Sequence, residues 1–115
     1  MSLKILNPNT IGDPDKRKPG AASARSYVVA ALSTAVISSV VVCNPDTVNE
    51  DTFYIYVVEA SVGALADKTM IYKGVLPPGE SFTAVVGISL GAGDSLQYKS
   101  DNGRLTFTVS GDESA

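Results

Sequence analysis

The sequence predicts an all-β protein: an antiparallel β-sandwich or jelly-roll-like domain of seven to eight strands, preceded by an extended N-terminal arm. Three observations support this fold class. Apolar runs rich in β-branched residues recur at regular spacing, turn residues separate them, and no stretch has the length and periodicity of an ordinary helix. The best-specified part is residues 76–110, where Pro78-Gly79, Gly91-Ala92-Gly93 and Asn102-Gly103 mark turns. These residue types favour the backbone angles of tight turns.

Seven apolar runs are predicted to form strands. They are Ser26–Ala31, Thr34–Cys43, Thr52–Glu59, Lys68–Val75, Ser81–Leu90, Asp94–Ser100 and Leu105–Ser110. The last run alternates most regularly, with Leu105, Phe107 and Val109 predicted inside the sandwich and the threonines between them outside. The sandwich domain is therefore predicted to span residues 26–111, followed by a short acidic tail at 112–115.

The run Thr34–Cys43 is apolar on both of its predicted faces. One predicted face holds Ile37, Val41 and Cys43, and the other holds Val36, Val40 and Val42. We therefore expect this strand to be buried on both sides, with a second subunit as a candidate cover. The wider stretch Tyr27–Cys43 falls short of the ~20 residues that a bilayer requires and carries four hydroxyl side chains, so no transmembrane segment is predicted.

The totals are those of one globular domain. The chain has 115 residues, of which 44% are hydrophobic and 18% charged. Its single cysteine, Cys43, excludes an internal disulfide and is interpreted as a small buried hydrophobe rather than a reactive thiol. The chain has no histidine, the commonest general base and zinc ligand, and no tryptophan. We expect no cofactor.

Charge divides the chain into a basic leader and an acidic body. Residues 1–25 carry five basic and two acidic side chains, a net charge of +3, whereas residues 26–115 carry four basic and ten acidic ones, a net charge of −6. An acidic body repels a phosphate backbone, so nucleic acid is not an expected partner.

The leader is predicted to be irregular, because prolines and glycines interrupt it from Pro8 to Gly20. Its apolar patch is too short for a signal peptide. Two interpretations stay open: a disordered terminus, or an arm that lies on a neighbouring subunit. In the second, the arm is anchored by Leu3, Ile5 and Leu6, and its basic contacts come from Lys16, Arg17, Lys18 and Arg25.

Two further groups are candidates for binding. Tyr54 and Tyr56 share one predicted strand face and are a candidate ligand or partner platform, although sheet packing also explains them. Asp46, Glu50 and Asp51 lie in a predicted loop, where acidic residues are ordinary. Their spacing matches no calcium-binding signature, so a solvated loop is favoured over a metal site.

No arrangement typical of an enzyme is found in the sequence. Serines are plentiful, but without histidine the remaining bases are lysines and carboxylates, and no Ser-x-x-Lys occurs. Asp67, Asp94 and Asp101 are the candidates for paired carboxylates, yet each lies in or beside a turn, where aspartate is favoured for local hydrogen bonding. We expect a protein without catalytic activity.

Several motifs between residues 35 and 111 resemble small structural proteins of tailed bacteriophages. They are Gly63-Ala64-Leu65-Ala66-Asp67-Lys68 with Met70-Ile71-Tyr72, Leu76-Pro77-Pro78-Gly79-Glu80-Ser81-Phe82, Gly87 to Leu96, Tyr98-Lys99-Ser100, and the Phe107 strand before Gly111. The resemblance implies a β-sandwich component of the virion without catalysis. The leader lies outside it.

The sequence as a whole predicts a bacteriophage accessory or decoration subunit of the capsid or tail. Its expected partners are other virion proteins and copies of itself, and its expected location is the virion. The alternative hypothesis is a receptor- or glycan-binding head of a fibre or baseplate, supported by the tyrosine pair. Neither a nucleic-acid partner nor a membrane is expected.

Overall fold

A computed structural model describes residues 3–61 and 65–115. In that part of the chain it shows eight strands and one short 3-10 turn, Asp67–Thr69. The strands are β1 (Lys4–Ile5), β2 (Arg25–Val28), β3 (Thr34–Cys43), β4 (Asp51–Val58), β5 (Met70–Leu76), β6 (Ser81–Leu90), β7 (Ser95–Ser100) and β8 (Thr106–Ser114). The all-β class is confirmed. No helix of residues 3–61 and 65–115 is long and apolar enough to cross a membrane.

The strands form two four-stranded antiparallel sheets. The first, sheet A, has the order β1-β8-β3-β6, and the second, sheet B, has the order β2-β7-β4-β5. Each early strand is thus hydrogen-bonded to its counterpart in the second half of the chain: β1 to β8, β2 to β7, β3 to β6 and β4 to β5. Eight strands paired in this order make a jelly roll.

The core lies between the two sheets and is built by period-2 alternation along the strands. The predicted inward residues of the last run are fully buried, Leu105 just before β8 and Phe107 and Val109 within it, and so are Leu96 and Tyr98 of β7. The rings of Tyr98 and Phe107 meet across the sheets with centroids 5.1 Å apart. The interior of the sandwich is therefore aromatic and aliphatic, as the alternation predicts.

Two strands, β3 and β6, have the predicted bounds, and the other five predicted strands are displaced by one to four residues at one or both ends. The predicted tail is wrong: β8 continues through Ser114, with Glu113 paired to Ala35 of β3. The Glu113 carboxylate accepts hydrogen bonds from the Tyr27 hydroxyl and, at 3.3 Å, from the Ala30 amide. The end of the chain thus connects sheet A to β2 of sheet B.

The predicted faces of β3 are wrong because a β-bulge interrupts the strand at Ser38. The pairing of β3 with both neighbours changes register between Ile37 and Ser39. The extra residue reverses the alternation, so Ile37 shares its buried face with Val40 and Val42 rather than with Val41. Only this face is fully buried, whereas Val41 and Cys43 on the other are half-buried.

Glycines permit two features of sheet A. Between two successive residue pairs of the β3–β6 ladder, β6 has one residue more than β3. Gly87 lies at this point with a φ of 62°, so it accommodates the bulge. At Gly111 on β8, a Cβ atom would overlap the Val36 carbonyl oxygen and lie 3.0 Å from Leu6 Cδ1. Only glycine fits this approach of two backbones.

The turns behave as predicted. Gly79, Gly93 and Gly103 all have positive φ, between 73° and 83°. The first motif of the resemblance to phage proteins starts at Gly63, in the connection from β4 to β5. Residues 62–64 lie outside the described part of the chain.

Candidate functional site

The leader lies on the chain's own sandwich. It starts as strand β1, crosses from sheet A to sheet B over residues 6–24, and enters β2 at Arg25. Leu6 is 7% exposed and belongs to the core, so it cannot serve as an exposed anchor on a neighbour. Leu3 and Ile5 are exposed.

Asn7 fastens the leader to β8 and β7. Its side chain is fully buried, its amide Nδ2 donates to the Tyr98 hydroxyl and to the Phe107 carbonyl, both at 3.0 Å, and its Oδ1 accepts the Val109 amide at 2.9 Å. The Tyr98 hydroxyl donates in turn to the Lys16 carbonyl at 2.9 Å. Burial raises the pKa of the Tyr98 hydroxyl, which keeps it a donor.

Two of the four predicted contact cations, Arg17 and Arg25, have their side chains held by the fold. The Arg17 carbonyl accepts the Phe107 amide at 2.7 Å, and the Arg17 guanidinium donates to the Thr108 hydroxyl. Arg25 forms an ion pair with Asp13, which ties the crossover to β2. Lys16 is half-buried and contributes its backbone carbonyl, as described above, whereas Lys18 is exposed. The leader therefore offers fewer free cations than its charge suggests.

The carboxylates of Asp46, in the loop after β3, and Asp51, the first residue of β4, organise neighbouring turns. Asp51 is 2% exposed and accepts the amides of Asn102 at 3.0 Å and Arg104 at 3.0 Å, which shapes the β7–β8 turn. Asp46 accepts hydrogen bonds from the amides of Val48 and Asn49. Both bonds lower the pKa of Asp46, and the bond from Asn49 has the larger effect. Within the described residues, no three histidine, cysteine, aspartate or glutamate side chains are grouped so as to hold a metal.

A small cleft opens at this end of the sandwich. Its volume is about 220 Å³, and it is lined by Lys18, Pro45, Asp46, Gly103 and Arg104. Arg104 is already engaged there, by the Asp46 carboxylate at 3.6 Å and by the Glu50 carbonyl at 3.2 Å. Ligand pockets are usually larger than ~300 Å³. The cleft is smaller than this, and its arginine is already bound by the neighbouring loop.

The predicted tyrosine platform is half covered. The Tyr54 and Tyr56 rings stack with centroids 6.5 Å apart on the outer face of sheet B, but Tyr56 is 4% exposed and only Tyr54 remains accessible. The ammonium groups of Lys73 and Lys99 lie 5.5 Å and 5.0 Å from the Tyr54 ring centroid. Partial burial, and then the hydrogen bond to the Asp101 carboxylate, raise the pKa of Tyr54. The result is a small basic, aromatic patch.

Comparison with protein-family models, curated proteins and solved structures finds no match for this chain. The resemblance to phage structural proteins stays a prediction. What the protein does is therefore inferred from its residues and their geometry.

A feature that the sequence does not indicate lies at the opposite end of the sandwich. The turn between β2 and β3 is closed by the Ser33 amide donating to the Ala30 carbonyl at 3.1 Å, and its third residue is Leu32 at a φ of 64°. That position favours glycine, and a leucine there is strained by roughly 1–2 kcal/mol. The Leu32 side chain is nonetheless 92% exposed. The predicted strands leave Leu32-Ser33 as their connection, but no glycine or asparagine in the sequence marks the positive φ of Leu32.

Proposed function

We propose that this protein is a non-enzymatic structural subunit of a bacteriophage virion, an accessory or decoration protein of the capsid or tail that acts through assembly contacts. The observation that carries the proposal is the strained, exposed Leu32. A leucine held in a conformation that favours glycine, with almost no contact inside its own chain, gains nothing for the fold. Because strained residues cluster at functional contacts, we assign this exposed apolar side chain to a contact with another protein.

Two other observations support the proposal. The jelly roll is an architecture of viral capsid domains, although the fold alone does not define a function. Asp46 and Asp51, two of the three carboxylates that were considered as metal ligands, instead accept backbone amides and hold loops in place. In a repetitive shell, weak single contacts are multiplied by symmetry, so a small apolar contact suffices.

The experiment is a competition during particle assembly. Differently tagged wild-type and Leu32→Gly chains are supplied together, and their ratio in purified particles is measured. The variant relieves the turn, so its free energy of unfolding rises by about 0.5–1 kcal/mol, while its share in particles falls. Val48→Gly is the matched control, since Val48 is 76% exposed in the loop at the other end of the sandwich.

Each outcome of the competition leads to a different conclusion. Selective loss of Leu32→Gly from particles supports the proposal. Absence of the wild-type chain from purified particles rejects the virion role. Equal incorporation of Leu32→Gly and wild type rejects Leu32 as the assembly contact.

The second candidate function is a receptor- or glycan-binding head, and the patch around Tyr54 favours it. One accessible aromatic ring between two lysines suits an acidic sugar, and jelly rolls are also found in lectin domains. A glycan array with wild type and Tyr54→Ala tests it: saturable binding that Tyr54→Ala removes favours the head, whereas no binding favours the scaffold. Tyr56→Ala is unsuitable as a binding variant because Tyr56 is buried.

A further inference from the structure

Each sheet ends at two sides of the sandwich, and the outer strands differ between these sides in how the rest of the chain covers them. On the side of β1 and β2, the leader satisfies the outer backbone edges of β8 and β7. The Leu6 amide donates to the Val109 carbonyl at 2.8 Å, Arg17 accepts from Phe107, and the Ala22 amide donates to the Ser100 carbonyl at 2.8 Å. On this side the sheets therefore end in short strands, β1 with two residues and β2 with four.

The side formed by β5 and β6 has no such cover among the described residues. Both strands end their sheets, and the backbone hydrogen bonds of β6 go to β3 alone. β6 is ten residues long, from Ser81 to Leu90, and contains no charged residue and no proline. Natural proteins usually protect a long sheet edge with such residues or with a covering segment.

A bulge limits the open edge to its first part. Gly87 bends β6, and bulges turn an edge away from further pairing. The regular stretch is therefore residues 81–86, with Phe82, Ala84 and Val86 facing the core and Thr83 and Val85 facing outward. Val85 is 78% exposed.

The regular stretch is suited to pairing with a copy of itself. An antiparallel pair around a two-fold axis at Ala84 places Phe82 opposite Val86 of the second copy and Thr83 opposite Val85. Every residue then faces the same side as its partner, and no like charges meet. The neighbouring edge strand, β5, is less suitable because the exposed Lys73 lies at its centre.

We propose that residues 81–86 of β6 are an assembly edge, at which a second copy of this chain adds its own β6 antiparallel to extend sheet A across both copies. This inference deepens the proposed assembly function and rests on it for its biological role. The unpaired amides and carbonyls of the edge supply the binding, as in other cases of strand addition, and the outward Thr83 and Val85 fix the register.

Light scattering coupled to size-exclusion chromatography, over a wide dilution series, tests the pairing with the full chain. Wild type is expected to form dimers or larger oligomers, and Val85→Lys to weaken the association at least about tenfold, because an edge lysine opposes strand addition. Val48→Lys is the matched control and leaves the association unchanged, since it introduces the same charge at an exposed loop position. Hydrogen exchange on wild type gives a measurement that needs no variant: those amides of residues 81–86 that point away from β3 become protected as concentration rises.

Three results would overturn the proposal: a wild-type chain that stays monomeric at every concentration, an oligomer that Val85→Lys leaves intact, or equal weakening by Val48→Lys. Particle incorporation is measured separately. If the chain pairs through β6 but is missing from particles, the assembly edge is supported and the virion role is rejected. If the chain is incorporated into particles but Val85→Lys does not weaken its oligomers, only the assembly edge is rejected.

Discussion

Replacing Asn7 with alanine tests whether the leader is part of the fold in solution. Asn7→Ala removes three buried hydrogen bonds at once, two donated by Nδ2 and one accepted by Oδ1. It also leaves the Val109 amide and the Phe107 carbonyl without these partners in a site that water does not reach. The Tyr98 hydroxyl keeps its bond to the Lys16 carbonyl, so that group is only partly affected.

The expected cost follows from these losses. A net hydrogen bond contributes about 1 kcal/mol, and a buried group left unpaired costs about 1–3 kcal/mol, so Asn7→Ala is expected to lower the free energy of unfolding by about 3–5 kcal/mol. That is a large part of the roughly 5–15 kcal/mol that stabilises an ordinary domain. Equilibrium urea denaturation measures the loss, and hydrogen exchange at the Val109 amide locates it.

Asn9→Ala is the control for Asn7→Ala. Asn9 is exposed and accepts one hydrogen bond, from the Arg17 amide at 2.9 Å. Its loss is expected to cost at most about 1 kcal/mol. If Asn7→Ala costs no more than Asn9→Ala, the leader is not fastened to the sandwich, and the free arm predicted from the sequence describes the molecule better.

Two further predictions concern sheet A and acid stability. Gly111→Ala is expected to lower the free energy of unfolding by about 3 kcal/mol or more, because its Cβ meets the Val36 carbonyl oxygen. The control is Gly12→Ala, whose Cβ has no atom within 4 Å and which is expected to change this free energy by less than about 0.5 kcal/mol. Equal effects of the two variants would show that the backbones at Gly111 and Val36 can move apart. Two backbone amides lower the pKa of Asp94 below its ordinary 3.8, so the stability that its carboxylate supplies is complete above that pH and is lost as pH falls through the folded-state pKa. Urea midpoints from neutral pH to about pH 2.5 should fall less in Asp94→Asn than in wild type, and parallel curves would contradict this.

Local signals in the sequence were sufficient for much of the fold. Thr34–Cys43 and Ser81–Leu90 were predicted with the bounds that the structure shows, because each is a β-branched run between turn residues. The inward residues of β8 followed from strict alternation. These features are determined by residues that are close together in sequence, and sequence patterns report on such residues.

The features that were missed depend on distant partners. Asn7 looked like a break after an apolar patch, yet its three partners lie 91 to 102 residues away in sequence. The bulge at Ser38 is set by two neighbouring strands at once, so the faces of β3 could not be assigned from β3 itself. The candidate site was the part least accessible to prediction. The exposure of Leu32 depends on the shape of its turn, and the open edge of β6 depends on the strand order, and local composition indicates neither of them.

The nested pairing of the strands also sets an order of events during synthesis. The hairpin of β4 and β5 joins strands that are close in sequence, whereas β3 with β6, β2 with β7 and β1 with β8 close progressively longer loops. Leu6 and Asn7 leave the ribosome about 100 residues before their partners Phe107 and Val109. The leader therefore cannot dock until β8 has been made, and until it docks, the outer edges of β7 and β8 are as open to other chains as that of β6.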